Sequence, residues 1–126
     1  MPLVLVAEDE PAIATSLEFL LRKAGYDTCL ARDGEAALAL AHQRNPQLIV
    51  LDLMLPRRNG IEVCRALRAD PRHALLKVLM LTARGGAADI DSGMTAGVNC
   101  YLVKPFSTQE LLAQVARLLP ARSAGH

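Results

Sequence analysis

The sequence has no tryptophan, only three cysteines, and no apolar run that approaches the length of a membrane span. A transmembrane helix needs about 20 mostly apolar residues, whereas charged residues divide the apolar 52% of this chain into short runs. The cysteines Cys29, Cys64 and Cys100 are odd in number and widely separated, which argues against a disulfide framework or a zinc cluster. We therefore expect a soluble protein, without membrane contact, whose thiols are free and buried.

The sequence also lacks a large net charge of either sign. Lys and Arg total 14 while Asp and Glu total 13, so no net field draws the chain toward nucleic acid or an anionic membrane. The arginines between positions 57 and 72 lack the interleaved aromatic residues of a nucleic-acid surface, and we expect no direct nucleic-acid binding by this segment. The first residues reach Glu8 and Asp9 without the basic region of a signal peptide, which predicts a cytoplasmic location.

Five apolar segments have the length of β-strands. The third and fourth are apolar at consecutive positions, which is typical of strands buried on both faces. The second is poorer in apolar residues, so we expect it at an edge of the sheet. In chain order, the predicted strands are Leu3–Ala7, Asp27–Ala31, Leu48–Leu51, Val78–Leu81 and Tyr101–Val103.

Helical patterns fill the gaps between these strands. Such alternation predicts a parallel sheet with helices on both faces, which is a doubly wound α/β three-layer sandwich. Glycines flank or interrupt the fourth helix, at a cost on the order of 1 kcal/mol for each one inside a helix, so we expect this element to be mobile. The predicted helices run from Pro11 to Gly25, from Asp33 to Asn45, from Ile61 to Ala69, from Ala87 to Thr95, and from Ser107 to Pro120.

The chain length suits one domain. We expect this domain to cover residues 1–120. Residues 121–126 are predicted to form a frayed tail or the start of a linker.

Polar residues follow four of the predicted strands. Glu8 and Asp9 come after the first, Asp52 after the third, Thr82 after the fourth and Lys104 after the fifth. In parallel α/β sheets, ligands gather beyond the carboxyl ends of the strands. The sequence therefore predicts one cleft that contains all of these side chains.

Three carboxylates in one cleft repel one another unless a cation offsets their charge. Oxygen ligands without a neighbouring histidine or cysteine favour Mg²⁺, with Mn²⁺ as an alternative. The Lys104 charge and the Thr82 hydroxyl suit a phosphoryl group, and a carboxylate among them is a candidate nucleophile. The three histidines are predicted at surface or linker positions away from the cleft; they are His42, His73 and His126.

Helix capping is the simplest alternative explanation for acids that follow strands. It is the preferred reading for Asp9 taken alone. It explains the whole set poorly, because several functional side chains at the same end of four strands are a rare coincidence.

Four motifs in this order resemble the receiver domain of two-component response regulators, over most of the chain from Leu3 to Leu119. Each motif alone is weak, and their combined order and spacing are highly specific. The resemblance implies a flavodoxin-like sheet of order 2-1-3-4-5. The motifs are Val6-Ala7-Glu8-Asp9-Glu10, Leu51-Asp52-Leu53-Met54-Leu55-Pro56 with Gly60, Met80-Leu81-Thr82-Ala83-Arg84, and Tyr101-Leu102-Val103-Lys104-Pro105-Phe106.

The resemblance also implies a phosphoacceptor role for Asp52. A histidine kinase or a phosphotransfer protein would supply the phosphoryl group. Mg²⁺ would be held by Asp9, Asp52 and the backbone carbonyl of Met54, and Glu8 would contribute mainly through water. The domain would then act as a signalling switch and not as an enzyme.

The resemblance also implies roles for three residues in the conformational change that follows phosphorylation. Lys104 would pair with the phosphate, while Thr82 and Tyr101 would move and reshape the face made by the fourth helix, the fifth strand and the fifth helix. This change would control a downstream effector domain or partner protein. The bond before Pro105 is cis in the family, although a trans turn is the default from sequence alone.

Two departures from the family pattern carry expectations. Met54 is apolar and unable to orient an attacking water, so we predict slow self-dephosphorylation. Relatives that dimerise through this face usually carry acidic residues before the tyrosine, whereas this chain has Gly97-Val98-Asn99-Cys100. That segment does not support a salt-bridged dimer, and a phosphorylation-dependent dimer stays an open alternative.

Two other functional classes compete with the switch. A haloacid-dehalogenase-like phosphohydrolase shares the aspartyl-phosphate chemistry, but it needs an Asp-x-Asp pair after the first strand and cap segments, neither of which Glu8-Asp9-Glu10-Pro11 provides. A docking module that never uses its phosphoacceptor site is the second alternative. Sequence alone leaves that alternative open.

Overall fold

Five parallel strands form one sheet in a computed structural model that describes residues 2–83 and 96–119. Their order across the sheet is β2-β1-β3-β4-β5. The predicted doubly wound fold and the edge position of the second strand are therefore confirmed. The strands are β1 (Leu3–Ala7), β2 (Asp27–Ala31), β3 (Leu48–Asp52), β4 (Lys77–Ala83) and β5 (Cys100–Lys104).

Within the described residues, three α-helices and one short 3-10 helix lie between strands, and a fourth α-helix follows the last strand. The predicted helix from Ala87 to Thr95 lies outside these residues, as does the predicted tail at 121–126, so the helix that follows β5 is labelled α4. No helix in the described part of the chain has the length and apolarity of a membrane span. The helices are α1 (Pro11–Lys23), α2 (Gly34–Arg44), α3 (Gly60–Arg68), the 3-10 helix Pro71–His73 and α4 (Thr108–Leu118).

Local side-chain caps explain where α3 and α4 begin. Ser107 and Glu110 form a capping box at the start of α4, in which each side chain accepts a hydrogen bond from the other residue's backbone N–H, at 3.0 and 2.8 Å. Asn59 and Glu62 form the same motif at α3. These bonds satisfy N–H groups that have no partner within the helix.

Alternate residues of the central strands face opposite layers of helices. Leu5 and Ile49 belong to the core packed under α2 and α3, whereas Val4 and Val50 belong to the core packed under α1 and α4. All five residues of β3 are buried, as the consecutive apolar pattern predicts. Polar chemistry is consequently confined to the ends of the strands.

Two expectations about single side chains are wrong in part. All three thiols are free and Cys64 is buried, but Cys29 and Cys100 are only partly buried because β2 and β5 are the edge strands. His73 is 2% exposed and is not a surface residue. Its ring stacks on that of His42, at 5.0 Å between centroids.

Candidate functional site

Four strand ends bring polar side chains together at one edge of the sheet. Glu8 follows β1, Asp52 ends β3, Thr82 is the last residue but one of β4, and Lys104 ends β5. Parallel strands place all of their carboxyl ends at the same edge. The fold thus makes neighbours of Glu8 and Lys104, which are 96 positions apart in the chain.

Asp52 has both of its carboxylate oxygens engaged. Its side chain is only 5% exposed. The backbone N–H of Met54 donates to Oδ1 at 3.0 Å, and the ammonium of Lys104 donates to Oδ2 at 2.9 Å. The carboxylate is therefore held in one orientation at the mouth of the cleft.

Glu8 is fully buried beside this pair. Its Oε2 accepts a hydrogen bond from the backbone N–H of Glu10 at 3.1 Å, and its Oε1 lies 3.5 Å from the Lys104 ammonium. Burial raises the pKa of the Glu8 carboxyl to about 7; the neighbouring Asp52 also raises it, while the Glu10 N–H and Lys104 oppose the rise. A cation at this point would favour the ionised form.

Asp9 completes the group of acids. It is exposed, and one carboxylate oxygen from each of Glu8, Asp9 and Asp52 lies within 4.8 Å of the others. Helix capping does not engage these acids in the described residues, since Asn59 caps α3 and the side chain of Glu10, the N-cap of α1, makes no capping bond. Three carboxylates this close suit a hard divalent cation such as Mg²⁺ or Mn²⁺.

Lys104 partly offsets the negative charge of the cleft. Burial lowers the pKa of its ammonium, but the hydrogen bond and charge of Asp52, together with Glu8, outweigh burial and raise that pKa above its usual value. The side chain is thus a permanent positive charge at neutral pH. The Lys104–Pro105 peptide bond that follows it is cis, which is the geometry that the resemblance implies.

Thr82 lies on β4, which is paired with the strand of Asp52, and Tyr101 lies on β5, on the far side of β4. Thr82 is 2% exposed, and its hydroxyl donates to the Ala83 carbonyl at 3.3 Å. Tyr101 is half-buried and packs against the core on the α2 and α3 side of the sheet. Thr82 is thus buried at the end of β4, and Tyr101 contributes to the core beside it.

The loop after Asp52 depends on a glycine that the motif contains. The N–H of Gly60 donates to the Leu53 carbonyl at 2.8 Å. A Cβ at position 60 would stand 2.8 Å from the Asp52 carbonyl oxygen and 2.8 Å from the Met80 sulfur, closer than real Cβ atoms approach. Glycine therefore lets the start of α3 pack directly against the strand that carries Asp52.

One group that contacts Asp52 was not predicted from the sequence. The Met54 N–H that orients Asp52 is a backbone group, so any residue type other than proline supplies it and no sequence signal marks it. The Met54 side chain is 72% exposed beside the cleft.

The basic positions near α3 are largely paired within the chain. Arg57 and Arg58 pair with Asp33 and Glu35. Arg68 donates to the carbonyl oxygens of Gly97 and His73 and to the Asn99 side chain. Arg68 therefore has a structural role, whereas the side chains of Arg57 and Arg58 are still 70% and 42% exposed.

The sheet order and its acidic edge define a doubly wound α/β domain with an acidic cleft at the carboxyl ends of its strands. The chain belongs to the response regulator receiver domain family, whose family model matches residues 4–116. Proteins of this family are the signalling switches of two-component systems.

Named relatives agree with this assignment. The chain is 48% identical over 119 residues to the DNA-binding dual master transcriptional regulator RpaA of Synechocystis, an alignment that covers 94% of this chain and 49% of RpaA. The chain thus spans about half the length of that relative. Chemotaxis protein CheY4 of Vibrio cholerae superposes with a TM-score of 0.89 at 31% identity, over 94% of this chain and 98% of CheY4.

A third comparison concerns the metal. The receiver domain of the sensor histidine kinase PA1611 from Pseudomonas aeruginosa has a TM-score of 0.87 at 32% identity, with 94% of this chain and 98% of that chain covered. Its crystal structure has a magnesium ion coordinated in the active-site cleft.

Proposed function

We propose that the chain is a phosphorylation-dependent switch in which Asp52 accepts a phosphoryl group from the phosphohistidine of a histidine kinase or phosphotransfer protein. A carboxylate oxygen of Asp52 forms the new bond to phosphorus while the phosphorus–nitrogen bond breaks. The bonding electrons return to the imidazole, which takes up a proton if it leaves as the neutral ring. The observation that carries the proposal is the Asp52 carboxylate held between the Met54 N–H and the Lys104 ammonium.

The acids around Asp52 fit a Mg²⁺ ion, with Mn²⁺ as an alternative. Asp9, Asp52 and the backbone carbonyl of Met54 would hold the ion, and Glu8 would contribute through water. When bound, the ion supplies positive charge to the phosphoryl oxygens during transfer. The spacing of the three carboxylates and the magnesium ion in the PA1611 receiver domain support this assignment.

Lys104 is proposed to bind the phosphoryl group once that group is attached to Asp52. Its ammonium bonds to the same carboxylate that becomes phosphorylated, so a phosphoryl oxygen on Asp52 would lie within its reach. The lysine would exchange a carboxylate partner for a phosphate partner. A compact, permanent positive charge suits that exchange.

Thr82 and Tyr101 are proposed to carry the switch. The Thr82 hydroxyl would leave the Ala83 carbonyl and donate to the phosphoryl group, and Tyr101 would then rotate inward. The face that changes would be made by the helix predicted at 87–95, β5 and α4.

The output is proposed to lie outside this segment, in a cytoplasmic protein. RpaA is named a DNA-binding regulator and the chain matches about half of it, which supports control of a downstream effector domain or partner protein. The balanced charge of the chain gives no reason to place DNA binding here. Asn99 bonds to Val78 and Arg68 within the chain, so it does not support a salt-bridged dimer, and another phosphorylation-dependent dimer remains an alternative.

Beryllofluoride, which imitates an aspartyl phosphate, tests the proposed site. Fluorine NMR should detect one bound beryllofluoride per chain that requires Mg²⁺ and disappears in Asp52→Asn. No binding to the folded wild-type chain would favour the docking module. Rapid release of inorganic phosphate over many turnovers from a small phosphorylated substrate would favour a phosphohydrolase.

A further inference from the structure

A second group of metal-ligating side chains lies at the opposite edge of the sheet. His42 is in the last turn of α2, whereas Asp70 caps the 3-10 helix between α3 and β4 and His73 is the last residue of that helix. Both segments lead into the amino ends of strands, β3 and β4 respectively. The group is therefore remote from the cleft that contains Asp52.

The three side chains converge closely. Nδ1 of His42 lies 3.0 Å from Nε2 of His73 and 3.7 Å from Oδ2 of Asp70. One ligand atom from each residue lies within 4.8 Å of the others. Bonds of about 2.0 to 2.1 Å to a tetrahedral zinc ion place the ligand atoms about 3.3 Å apart. Small rotations of these side chains would meet that spacing.

Two of the three ligands are held in place by the surrounding chain. His73 is 2% exposed, its N–H donates to the Asp70 carbonyl at 2.9 Å, and its own carbonyl accepts from Arg68 at 3.0 Å. The Oδ1 atom of Asp70 accepts from the Arg72 backbone N–H at 2.9 Å. Oδ2 is thereby aimed toward His42, whose side chain is 40% exposed and leaves a side open to water.

A cationic side chain already bridges two of the ligands. The Nη2 atom of Arg72 lies 2.8 Å from Oδ2 of Asp70 and 3.3 Å from Nδ1 of His42. The Arg72 side chain is 63% exposed, so its displacement would move it into water at the cost of its hydrogen bonds to Asp70. Its guanidinium occupies the space where a small cation would contact the same two atoms.

We propose that His42, Asp70 and His73 bind a Zn²⁺ ion, with water in the fourth position and Arg72 displaced. Two imidazoles and one carboxylate form a donor set that suits zinc, whereas the all-oxygen cleft around Asp52 suits Mg²⁺. The site shares no residue with the phosphoacceptor cleft. The proposed zinc site and the proposed function can therefore be tested independently of each other.

Zinc titration of the whole chain tests the site. The metal-free protein is titrated with Zn²⁺ in competition with a chromophoric chelator. Excess Mg²⁺ is present so that it occupies the acidic cleft around Asp52 and keeps zinc out of it. One zinc ion per chain is expected, and His42→Ala should weaken binding more than about tenfold. Replacing His126, which is not one of the three proposed ligands, by alanine is the matched control and should change nothing. Circular dichroism verifies that each variant is folded.

Two further results separate this site from adventitious binding. Arg72→Gln should tighten zinc binding, because it removes the competing cation but keeps the backbone N–H that orients Asp70. Cobalt should give the visible absorption of a tetrahedral site in the wild-type chain and not in His42→Ala. Equal zinc affinity in His42→Ala, no tightening in Arg72→Gln, or loss of zinc only in Asp52→Asn would overturn the proposal.

Discussion

Lys104 donates a 2.9 Å hydrogen bond to Oδ2 of Asp52, although 52 positions of sequence separate the two residues. Their strands, β3 and β5, do not touch, because β4 runs between them. The contact exists since both residues stand at the carboxyl ends of parallel strands. It joins the proposed acceptor carboxylate to the cation best placed to receive the incoming phosphoryl group.

Replacing Lys104 by methionine removes this charge with little change in side-chain length. We expect acetyl phosphate to phosphorylate Lys104→Met on the order of 100-fold more slowly, because no ammonium offsets the charge that develops on the phosphoryl oxygens. The initial rate is measured by intact-protein mass spectrometry. Lys77→Met, at the amino end of β4, is the matched control and should react at the wild-type rate. Similar rates in both variants would remove Lys104 from the chemistry.

Asp9 and Glu10 are adjacent exposed acids. Neutralising either one changes the net charge by the same amount, so the two variants can be compared directly. Asp9→Asn should lower Mg²⁺ affinity by more than about tenfold, because a direct carboxylate ligand is lost. Glu10→Gln should leave the affinity nearly unchanged, since only its backbone N–H contacts the site. Isothermal titration calorimetry measures both values. An equal loss in the two variants would mean that general electrostatics, and not coordination, holds the ion.

Glu8 should make the site sensitive to pH. Its pKa is about 7 in the folded chain against an ordinary value of 4.5. Between these values the folded state keeps a proton that the unfolded chain releases, so this group reduces stability as pH rises through that window. Magnesium requires the ionised cleft. The rise in melting temperature on adding Mg²⁺ should therefore be larger at about pH 8 than at about pH 6.

Glu8→Gln provides the control for this pH effect. The variant should lose most of the pH dependence of the Mg²⁺-induced shift. Without metal at about pH 8, it should be more stable than the wild type by on the order of 1 to 3 kcal/mol, because a buried charge is absent. The same pH dependence in Glu8→Gln would assign it to another group.

Met54 should set the lifetime of the phosphorylated state. Its exposed thioether beside Asp52 has no strong group with which to orient a hydrolytic water, so Met54→Asn should dephosphorylate several-fold faster. The decay of radiolabelled acyl phosphate after removal of the donor gives the rate. Leu75→Asn, at a position 87% exposed outside the cleft, controls for an added surface amide. Decay in Met54→Asn no faster than in the wild type would contradict this role.

The sequence specified the sheet well because its strands are short, apolar and bounded by turn residues. Asp27–Ala31 agrees with β2 residue for residue, and Leu48–Leu51 lacks only the terminal Asp52 of β3. The edge that carries Glu8, Asp52 and Lys104 followed from the rule that parallel strands end together. Secondary structure and position were enough for this part of the site.

Contacts that depend on packing between elements were not predicted. His42 and His73 are 31 positions apart and meet only because α2 lies beside the 3-10 helix. Arg68 reaches Gly97 and Asn99 from α3, a geometry that no local pattern encodes. Partial exposure of Cys100 likewise follows from the place of β5 in the sheet order.

The central claim is that Asp52 is the phosphoacceptor, and stoichiometric labelling tests it most directly. The wild-type chain is incubated with acetyl phosphate and Mg²⁺, and its intact mass is compared with that of Asp52→Asn. We predict the addition of one phosphoryl group to the wild type, its loss on treatment with hydroxylamine, and no addition to the folded variant. Equal labelling of Asp52→Asn, or no labelling of the folded wild type in the presence of Mg²⁺, would contradict the claim.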